Sequence, residues 1–149
     1  MAQPARLDQI MTRDVETCPP TASVQEVARL MADRNVGSVP VADGDRLVGM
    51  ITDRDLVLRV VAKGMDPRTE RIGPHVSGQV VTLRPDSSVD EALRTMETHQ
   101  IRRLPVCKGD RLVGIVSLGD LATKATPDGA RDERVGEALE EISKPSRPR

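Results

Sequence analysis

The chain has 149 residues, of which 38% are hydrophobic and none is Phe, Trp or Tyr. Any core, and any surface that holds a planar ligand, must therefore be built from aliphatic side chains. Twenty-two basic and 23 acidic residues give a net charge of −1, which argues against nucleic-acid binding because such domains usually show a basic excess. The apolar stretches are too short to cross a membrane, and the N-terminus lacks an apolar signal-peptide core. We therefore expect a cytoplasmic protein with no nucleic-acid or membrane partner.

The sequence contains an internal repeat with an offset of 65 residues. Between positions 10 and 60, 18 of the 51 residue pairs at this offset are identical. The run from Gly44 to Gly49 recurs unchanged from Gly109 to Gly114. Self-similarity at a fixed offset indicates a repeated structural unit. We divide the chain into a first repeat at 7–62, a linker at 63–71, a second repeat at 72–127, and a C-terminal helix with a disordered tail at 128–149.

Each repeat predicts the element order βαββα. After a short leading helix, expected from Arg6 to Met11, a first strand is predicted at 15–17, and its counterpart at 80–82. A helix follows that opens with a predicted capping box, Ser23 to Glu26 or Ser88 to Glu91, in which the Ser oxygen accepts an amide and the Glu bonds back to the Ser amide. Apolar residues at helical spacing predict one buried face on each helix: Val24, Val27, Ala28 and Met31, then Val89, Ala92, Leu93 and Met96.

A β-hairpin is predicted next, with strands at 39–41 and 47–51 and at the equivalent positions of the second repeat. A proline inside the first strand of each hairpin predicts an edge position or a strand start, because proline cannot donate to the ladder. A second helix opens at Thr52 or Ser117, and a terminal helix is predicted from Val135 to Ile142. One repeat of about 50 residues is too small to be stable alone. We therefore expect an α/β (α+β) fold in which the two βαββα repeats pack as a pseudo-two-fold pair.

These motifs resemble those of the CBS (cystathionine-β-synthase-type) domain. The resemblance rests on 39–41 followed by 47–56, and on 104–106 followed by 112–121, and it covers about residues 7 to 125. The chain is similar to the small stand-alone bacterial proteins that consist of one CBS pair, or Bateman module. This resemblance implies a non-catalytic regulatory module for signal transduction. It would bind its ligand in the cleft between the repeats, form a homodimer, and transmit the change to an unknown regulated protein.

The resemblance implies an adenine nucleotide as ligand, with AMP placed first and ADP, ATP, NAD(H) or S-adenosylmethionine as the other choices. Thr52 with Asp55, and Ser117 with Asp120, are expected to hold the ribose hydroxyls, as an acidic residue does in dinucleotide folds. The same pairs at a helix start are also ordinary capping pairs, and both interpretations stay open. The two sites are expected to differ in affinity.

Arg102 and Arg103 are expected to reach a ligand phosphate, a role that suits the forked, permanently charged guanidinium. The first repeat has Gly37 and Ser38 at these positions. The alternative is that both arginines are solvated surface residues. The candidates for contacts with adenine, most of which are also plain core positions, are Val15, Thr17, Val80, Thr82, Val36, Ile101, Met50 and Ile115.

Cys18, Cys107, His75 and His99 lack the close spacing of a zinc module, so no metal is expected, and the two thiols are expected to be reduced. The sequence shows no nucleophile elbow, no Gly-rich phosphate loop and no metal-binding helix motif, and we expect no enzyme activity. The alternative function is a ligand-free structural or interaction dimer with the same fold.

Overall fold

The computed structural model describes residues 5–78, 80–124 and 129–145, which form two compact units. The repeat-1 unit contains the described residues of 16–80 together with 110–112. The repeat-2 unit contains those of 1–15, 81–109 and 113–149. Residues 146–149 of the predicted tail lie outside the described part of the chain. No helix in the described ranges is long and apolar enough to cross a bilayer.

The elements of both repeats follow the order helix, strand, strand, helix, with a short helix or turn before each repeat and one further helix after the second. In the first half they are α1 (Leu7–Ile10), α2 (Val24–Arg34), β1 (Ser38–Asp43), β2 (Arg46–Thr52) and α3 (Asp53–Leu56), with a π-helical turn over Val57–Val61 and a 3-10 turn over Gly73–His75. In the second half they are α4 (Val89–His99), β3 (Arg103–Lys108), β4 (Arg111–Ser117), α5 (Leu118–Lys124) and α6 (Gly129–Ile142). The fold is thus mixed helix and antiparallel sheet, as predicted.

The hairpins form as predicted. β1 and β2 pair antiparallel, with Pro40 opposite Met50, and β3 neighbours β4 in the same way. Gly44 and Gly109 have φ values of 64° and 66° in the connecting turns, which glycine adopts without strain. Pro40 lies in a strand that has a full partner on one side only, as its missing amide hydrogen requires.

The predicted first strand of each repeat is wrong. Residues 15–17 and 80–82 form no strand. The chain pairs instead at one residue a little further on, through single parallel bridges of Cys18 with Val41 and of Leu83 with Val106. In the first repeat, Pro19 follows Cys18 directly and has no amide hydrogen to extend the ladder. In the second repeat, the amide of Arg84, which follows Leu83, donates to Ser87 Oγ over 3.1 Å instead.

The helices α2 and α4 begin at their predicted serine caps. The amide of Glu26 donates to Ser23 Oγ over 3.1 Å, and that of Glu91 donates to Ser88 Oγ over 3.1 Å. The return half of the predicted capping boxes is wrong: both glutamates are exposed, and among the described contacts neither bonds back to its serine amide.

One residue of the predicted buried faces is also misplaced, because Ala28 is exposed. Its counterpart Leu93 is fully buried. The difference has a structural cause, since α6 packs on α4, and Leu93 shares a core cluster with Val135, Ala138 and Ile142 of that helix. Helix α2 has no such cover among the described residues.

Each unit takes its leading segment from the other repeat. Helix α1 belongs to the repeat-2 unit, where the Leu7 amide donates to the carbonyl of Ser87 over 3.0 Å. At the equivalent place of the repeat-1 unit, the Ile72 amide donates to the carbonyl of Ala22 over 3.0 Å. The two structural units therefore differ from the two sequence repeats in these short leading segments, each of which packs in the unit of the other repeat.

The exchanged segments cross closely over one glycine in each hairpin. A Cβ atom on Gly49 would collide with the carbonyl oxygen of Ser77. One on Gly114 would meet the Sδ atom of Met11 at 2.5 Å and the carbonyl oxygen of Thr12 at 3.0 Å. Glycine is required here because of the close approach of a second backbone.

Both cores are aliphatic, as the composition requires. The fully buried side chains of the repeat-1 unit include Val41, Ile51, Val60 and Ile72. Those of the repeat-2 unit include Leu7, Leu93, Met96, Leu104 and Leu121. Each unit thus buries its own set of large apolar residues, which is the main stabilising term for a small domain.

Candidate ligand-binding site

The two predicted ribose-binding pairs have the same geometry in both repeats. The Asp55 amide donates to Thr52 Oγ1 over 3.1 Å, and the Thr52 amide donates to Asp55 Oδ2 over 2.9 Å. In the second repeat, Ser117 and Asp120 make both bonds at 3.0 Å. Each pair is therefore a complete capping box, and one carboxylate oxygen of each aspartate is already engaged by a backbone amide.

The other oxygen of each aspartate faces a basic side chain four residues on. Arg59 Nε lies 3.7 Å from Asp55 Oδ1, and Lys124 Nζ lies 3.2 Å from Asp120 Oδ1. Both aspartates keep 18% of their side-chain surface exposed. A carboxylate oxygen can accept more than one hydrogen bond, so capping does not by itself prevent a hydroxyl from binding at Oδ1. The role of these pairs toward ribose stays a prediction.

The basic partner is held more firmly in the first repeat than in the second. Arg59 Nη1 also donates to the carbonyl oxygen of His75 over 2.8 Å. The buried imidazole of His75 has its Nε2 atom 2.9 Å from Glu70 Oε1. In the repeat-2 unit, the position equivalent to His75 is held by Ile10, which cannot make a polar side-chain contact. Asp55 is thus flanked by an anchored arginine and Asp120 by an exposed lysine.

A cavity of about 460 Å³ lies in the repeat-2 unit. Its lining brings together three predicted site residues, Arg102, Arg103 and Ser117. The remaining lining residues, none of which was predicted, are Leu118, Gly119, Ala122, Val135 and Leu139. Both arginines are exposed, and the Leu118 amide donates to the carbonyl oxygen of Arg102 over 2.8 Å. Two guanidinium groups therefore stand beside a mostly apolar pocket at the start of a helix.

The equivalent place in the first repeat lacks both arginines, which are replaced by Gly37 and Ser38, and has a carboxylate, Asp53, where the second repeat has Leu118. The Asp53 amide donates to the carbonyl oxygen of Gly37 over 2.9 Å, the same backbone contact that joins Leu118 to Arg102. The carboxylate of Asp53 lies over Gly37, and a Cβ atom there would be 3.2 Å from Asp53 Oδ2. A carboxylate thus takes the place that two arginines border in the second repeat, which disfavours a phosphate.

The predicted adenine-contacting residues do not line this cavity. Val36 and Ile101 pack at the edge of their own cores. Val15, Met50 and Val80 are half-buried, Ile115 is buried, and Thr17 and Thr82 are exposed. Asp120 is also absent from the lining. Contacts of these side chains with a ligand stay predictions.

The unpredicted lining residues Val135 and Leu139 come from α6. A helix was predicted from Val135 to Ile142. The sequence does not say which part of the molecule this helix covers, since α6 follows the second repeat and the described residues of the first repeat contain no equivalent helix.

In the described ranges, no three or more His, Cys, Asp or Glu side chains are grouped as metal ligands would be. Cys18 and Cys107 are buried free thiols. Burial raises the pKa of the Cys18 thiol to about 11, so this group stays protonated and unreactive at neutral pH.

The comparison with protein families decides the classification. The CBS domain model matches residues 7–62 and 72–125, which together make up most of the chain. The chain belongs to the CBS domain family. Tandem CBS domains are a regulatory type of module, and the chain carries one such pair.

Three known proteins illustrate the relationship. The chain is 43% identical over 133 residues to the CBS domain-containing protein YhcV of Bacillus subtilis, which covers 89% of this chain and 91% of that protein. It is similar to Hypoxic Response Protein I, solved with two coordinated zinc ions, at 35% identity and a TM-score of 0.75, over 82% of this chain and all of that one. A CBS domain pair solved with 5′-methylthioadenosine and S-adenosyl-L-methionine matches at 25% identity and a TM-score of 0.69, over 80% of this chain and 94% of that one.

Proposed function

We propose that this CBS pair is a non-catalytic sensor that binds a phosphorylated adenine nucleotide, AMP before ADP or ATP, at the cavity of the repeat-2 unit. The supporting observation is the lining itself, in which Arg102 and Arg103 stand beside Ser117 and an apolar surface. The volume of about 460 Å³ falls within the usual range for small-molecule pockets. The related CBS pair that holds two adenosine derivatives supports the adenosine part of the assignment.

The charge of the lining selects among the candidate ligands. Guanidinium groups form strong, charge-assisted hydrogen bonds with phosphate oxygens, so the two arginines favour AMP, ADP or ATP over S-adenosylmethionine, whose sulfonium is positive. The ribose would take Asp120 Oδ1 in place of Lys124, which lies 3.2 Å from it. The first repeat, with Asp53 at Gly37, is expected to bind phosphate weakly or not at all.

Regulation would follow from a shift of population. A nucleotide that binds one arrangement of the protein more tightly than another stabilises that arrangement, and such coupling is typically about 1–3 kcal/mol. A regulated partner that prefers one arrangement would then sense the nucleotide.

Calorimetric titration tests the proposal. AMP, ADP, ATP, NADH and S-adenosylmethionine are each titrated into the wild-type chain and into the R102A/R103A variant. We expect AMP to bind the wild type and to bind the variant about a hundredfold more weakly, because each charge-assisted bond contributes about 1.5–3 kcal/mol. The matched control is R84A/R94A, which removes two exposed arginines outside the lining. No heat with any of the five ligands would overturn the proposal.

The aspartates need a variant that preserves the fold. Asp120→Asn keeps an oxygen that accepts the Ser117 amide, and it removes the charge that faces Lys124. We expect it to weaken AMP binding, while the matched Asp55→Asn leaves AMP binding at the repeat-2 cavity unchanged. If Asp120→Asn binds AMP like the wild type, the ribose assignment is wrong and the phosphate assignment stands on the arginines alone.

We also propose that the chain forms a homodimer through an exposed apolar surface of the repeat-1 unit. Val57 and Val61 are 54% and 61% exposed, and Leu58 and Met65 are exposed as well. These four exposed apolar side chains lie within nine residues of the chain, and exposed apolar surface is typical of interaction sites. The same residues also favour the alternative function, an interaction dimer without ligand. Val61→Glu should yield a monomer in light scattering after gel filtration, whereas a wild-type monomer would contradict the dimer.

A further inference from the structure

Helix α6 contributes the apolar side of the repeat-2 cavity. Val135 and Leu139, one helical turn apart, both line it. Val135, Ala138 and Ile142 are buried in the core of the unit, while Leu139 remains 43% exposed. The exposed Leu139, beside three buried neighbours on the same helix, is accounted for by the cavity that it borders.

The helix is held in place by contacts that lie outside the cavity lining. Arg134 forms an ion pair with Glu97 of α4. The side-chain amide of Gln100, at the end of α4, donates to the carbonyl oxygens of Glu141 and Lys144 over 3.4 and 3.0 Å. These bonds tie the end of α4 to the C-terminal end of α6 and the residues just after it. The docking of α6 can therefore be weakened without touching a residue that lines the cavity.

We propose that α6 is part of the nucleotide site, with Val135 and Leu139 forming the wall against which the apolar nucleoside rests while Arg102 and Arg103 hold the phosphate. This inference rests on the proposed function. Because the chain has no aromatic residue, a purine must lie against aliphatic side chains, and those of α6 are the largest apolar groups in the lining apart from Leu118.

A linkage follows from this assignment. If the docked helix forms part of the site, binding of the nucleotide stabilises the docked state, and loosening the helix weakens binding by the same factor. The linkage is confined to the second repeat, because the first repeat has no described helix at this place. The C-terminal helix would thus report the occupancy of one site only.

Hydrogen exchange and calorimetry with AMP on the full chain test the linkage. Saturating AMP should slow amide exchange across α6, and Leu139→Ala should weaken AMP binding about tenfold through lost apolar contact. The matched control is Glu140→Ala, the exposed neighbour on the same helix. A second variant, Gln100→Asn, introduces the residue that the first repeat has at the equivalent position, Asn35, and asparagine suits the left-handed backbone at φ 53°. Its shorter side chain reaches less far toward α6. We expect this variant to speed amide exchange in α6 and to weaken AMP binding.

The outcomes separate this inference from the proposed function. If AMP binds and R102A/R103A weakens it, but Leu139→Ala binds like the wild type and AMP leaves exchange in α6 unchanged, only the role of α6 is overturned. If AMP does not bind the wild type, both proposals fall together. Slower exchange in α6 with AMP, together with weaker binding by both variants and not by Glu140→Ala, supports the inference.

Discussion

The two repeats share a skeleton and differ in what surrounds it. Both have a serine-capped helix, a hairpin with a glycine turn, and a second helix opened by a complete capping box. They differ at the pocket, where Arg102 and Arg103 stand in place of Gly37 and Ser38, and in α6, which covers the second repeat alone. Backbone geometry is thus common to both repeats, whereas the two arginines beside the cavity and the packing of α6 are particular to the second.

The packing of α6 on the second repeat explains which apolar residues of the two repeats are buried. Leu93 lies under α6 and its counterpart Ala28 lies in solvent. On the second helices, Ala122 borders the cavity beside α6, and its counterpart Val57 is exposed. The repeat-1 unit therefore leaves Val57 exposed, whereas in the repeat-2 unit the equivalent Ala122 lies beside α6.

The largest effect is expected from substituting the residue that α6 covers. Leu93→Ala should lower the free energy of unfolding by about 3 kcal/mol, because it deletes a fully buried side chain and leaves a cavity. The reverse change at the equivalent position, Ala28→Leu, should change it by less than about 0.5 kcal/mol since the site is exposed. Urea denaturation measures both, and equal effects would contradict the difference in cover.

The next largest effects are expected at Gly49 and Gly114, the two glycines that a second segment of backbone approaches closely. Gly49→Ala forces the Ser77 backbone to move and should destabilise by about 2–3 kcal/mol. Gly114→Ala first meets the flexible Met11 side chain and should destabilise by about 1 kcal/mol. Thermal unfolding of the two variants ranks them, and a larger loss for Gly114→Ala would show that the Met11 side chain does not yield.

The buried thiol of Cys18 belongs to the repeat-1 unit alone, since the second repeat has Leu83 there. Burial raises its pKa to about 11 from its ordinary value of 9.0. Below pH 9 the thiol is protonated in both states and its contribution is fully present; as pH rises toward 11, the unfolded chain releases the proton first and stability falls. The loss should reach up to about 2 kcal/mol. Cys18→Ala should lack this component between pH 9 and 11, and parallel pH profiles of variant and wild type would refute the shift.

The smallest effect is expected from removing the serine caps that α2 and α4 have in common. Ser23→Ala and Ser88→Ala each remove one cap bond of 3.1 Å and should each destabilise by about 1 kcal/mol. Chemical denaturation of the two variants should give the same loss within error. A clear inequality would mean that the common skeleton is not energetically equivalent in the two repeats.

Sequence patterns predicted the shared skeleton well because it depends on local rules. Helix periodicity, serine caps and glycine turns place α2, α4 and both hairpins near their observed bounds. The strand at 15–17 could not be excluded, because its β-branched residues suit a strand and only the following proline limits pairing. Ala28 was misassigned because periodicity identifies a face of a helix but not whether anything covers it.

The site was partly predictable. Arg102, Arg103 and Ser117 share a lining because they lie at the start of β3 and the end of β4, which are adjacent in the hairpin. Val135 and Leu139 could not be placed there from sequence, since the position of α6 depends on long-range contacts such as the bond from Gln100 to the Lys144 carbonyl. The exchange of leading segments was also not predicted, because the sequence pattern of the two repeats is the same whether or not the segments are exchanged.

The claim that the second repeat recognises a phosphate is tested most directly by the ratio of AMP affinity to adenosine affinity. Calorimetry on the wild type should give AMP an advantage of about a hundredfold, and the R102A/R103A variant should bind the two ligands almost equally. An unchanged preference for AMP in that variant, or equal binding of AMP and adenosine by the wild type, would contradict the account.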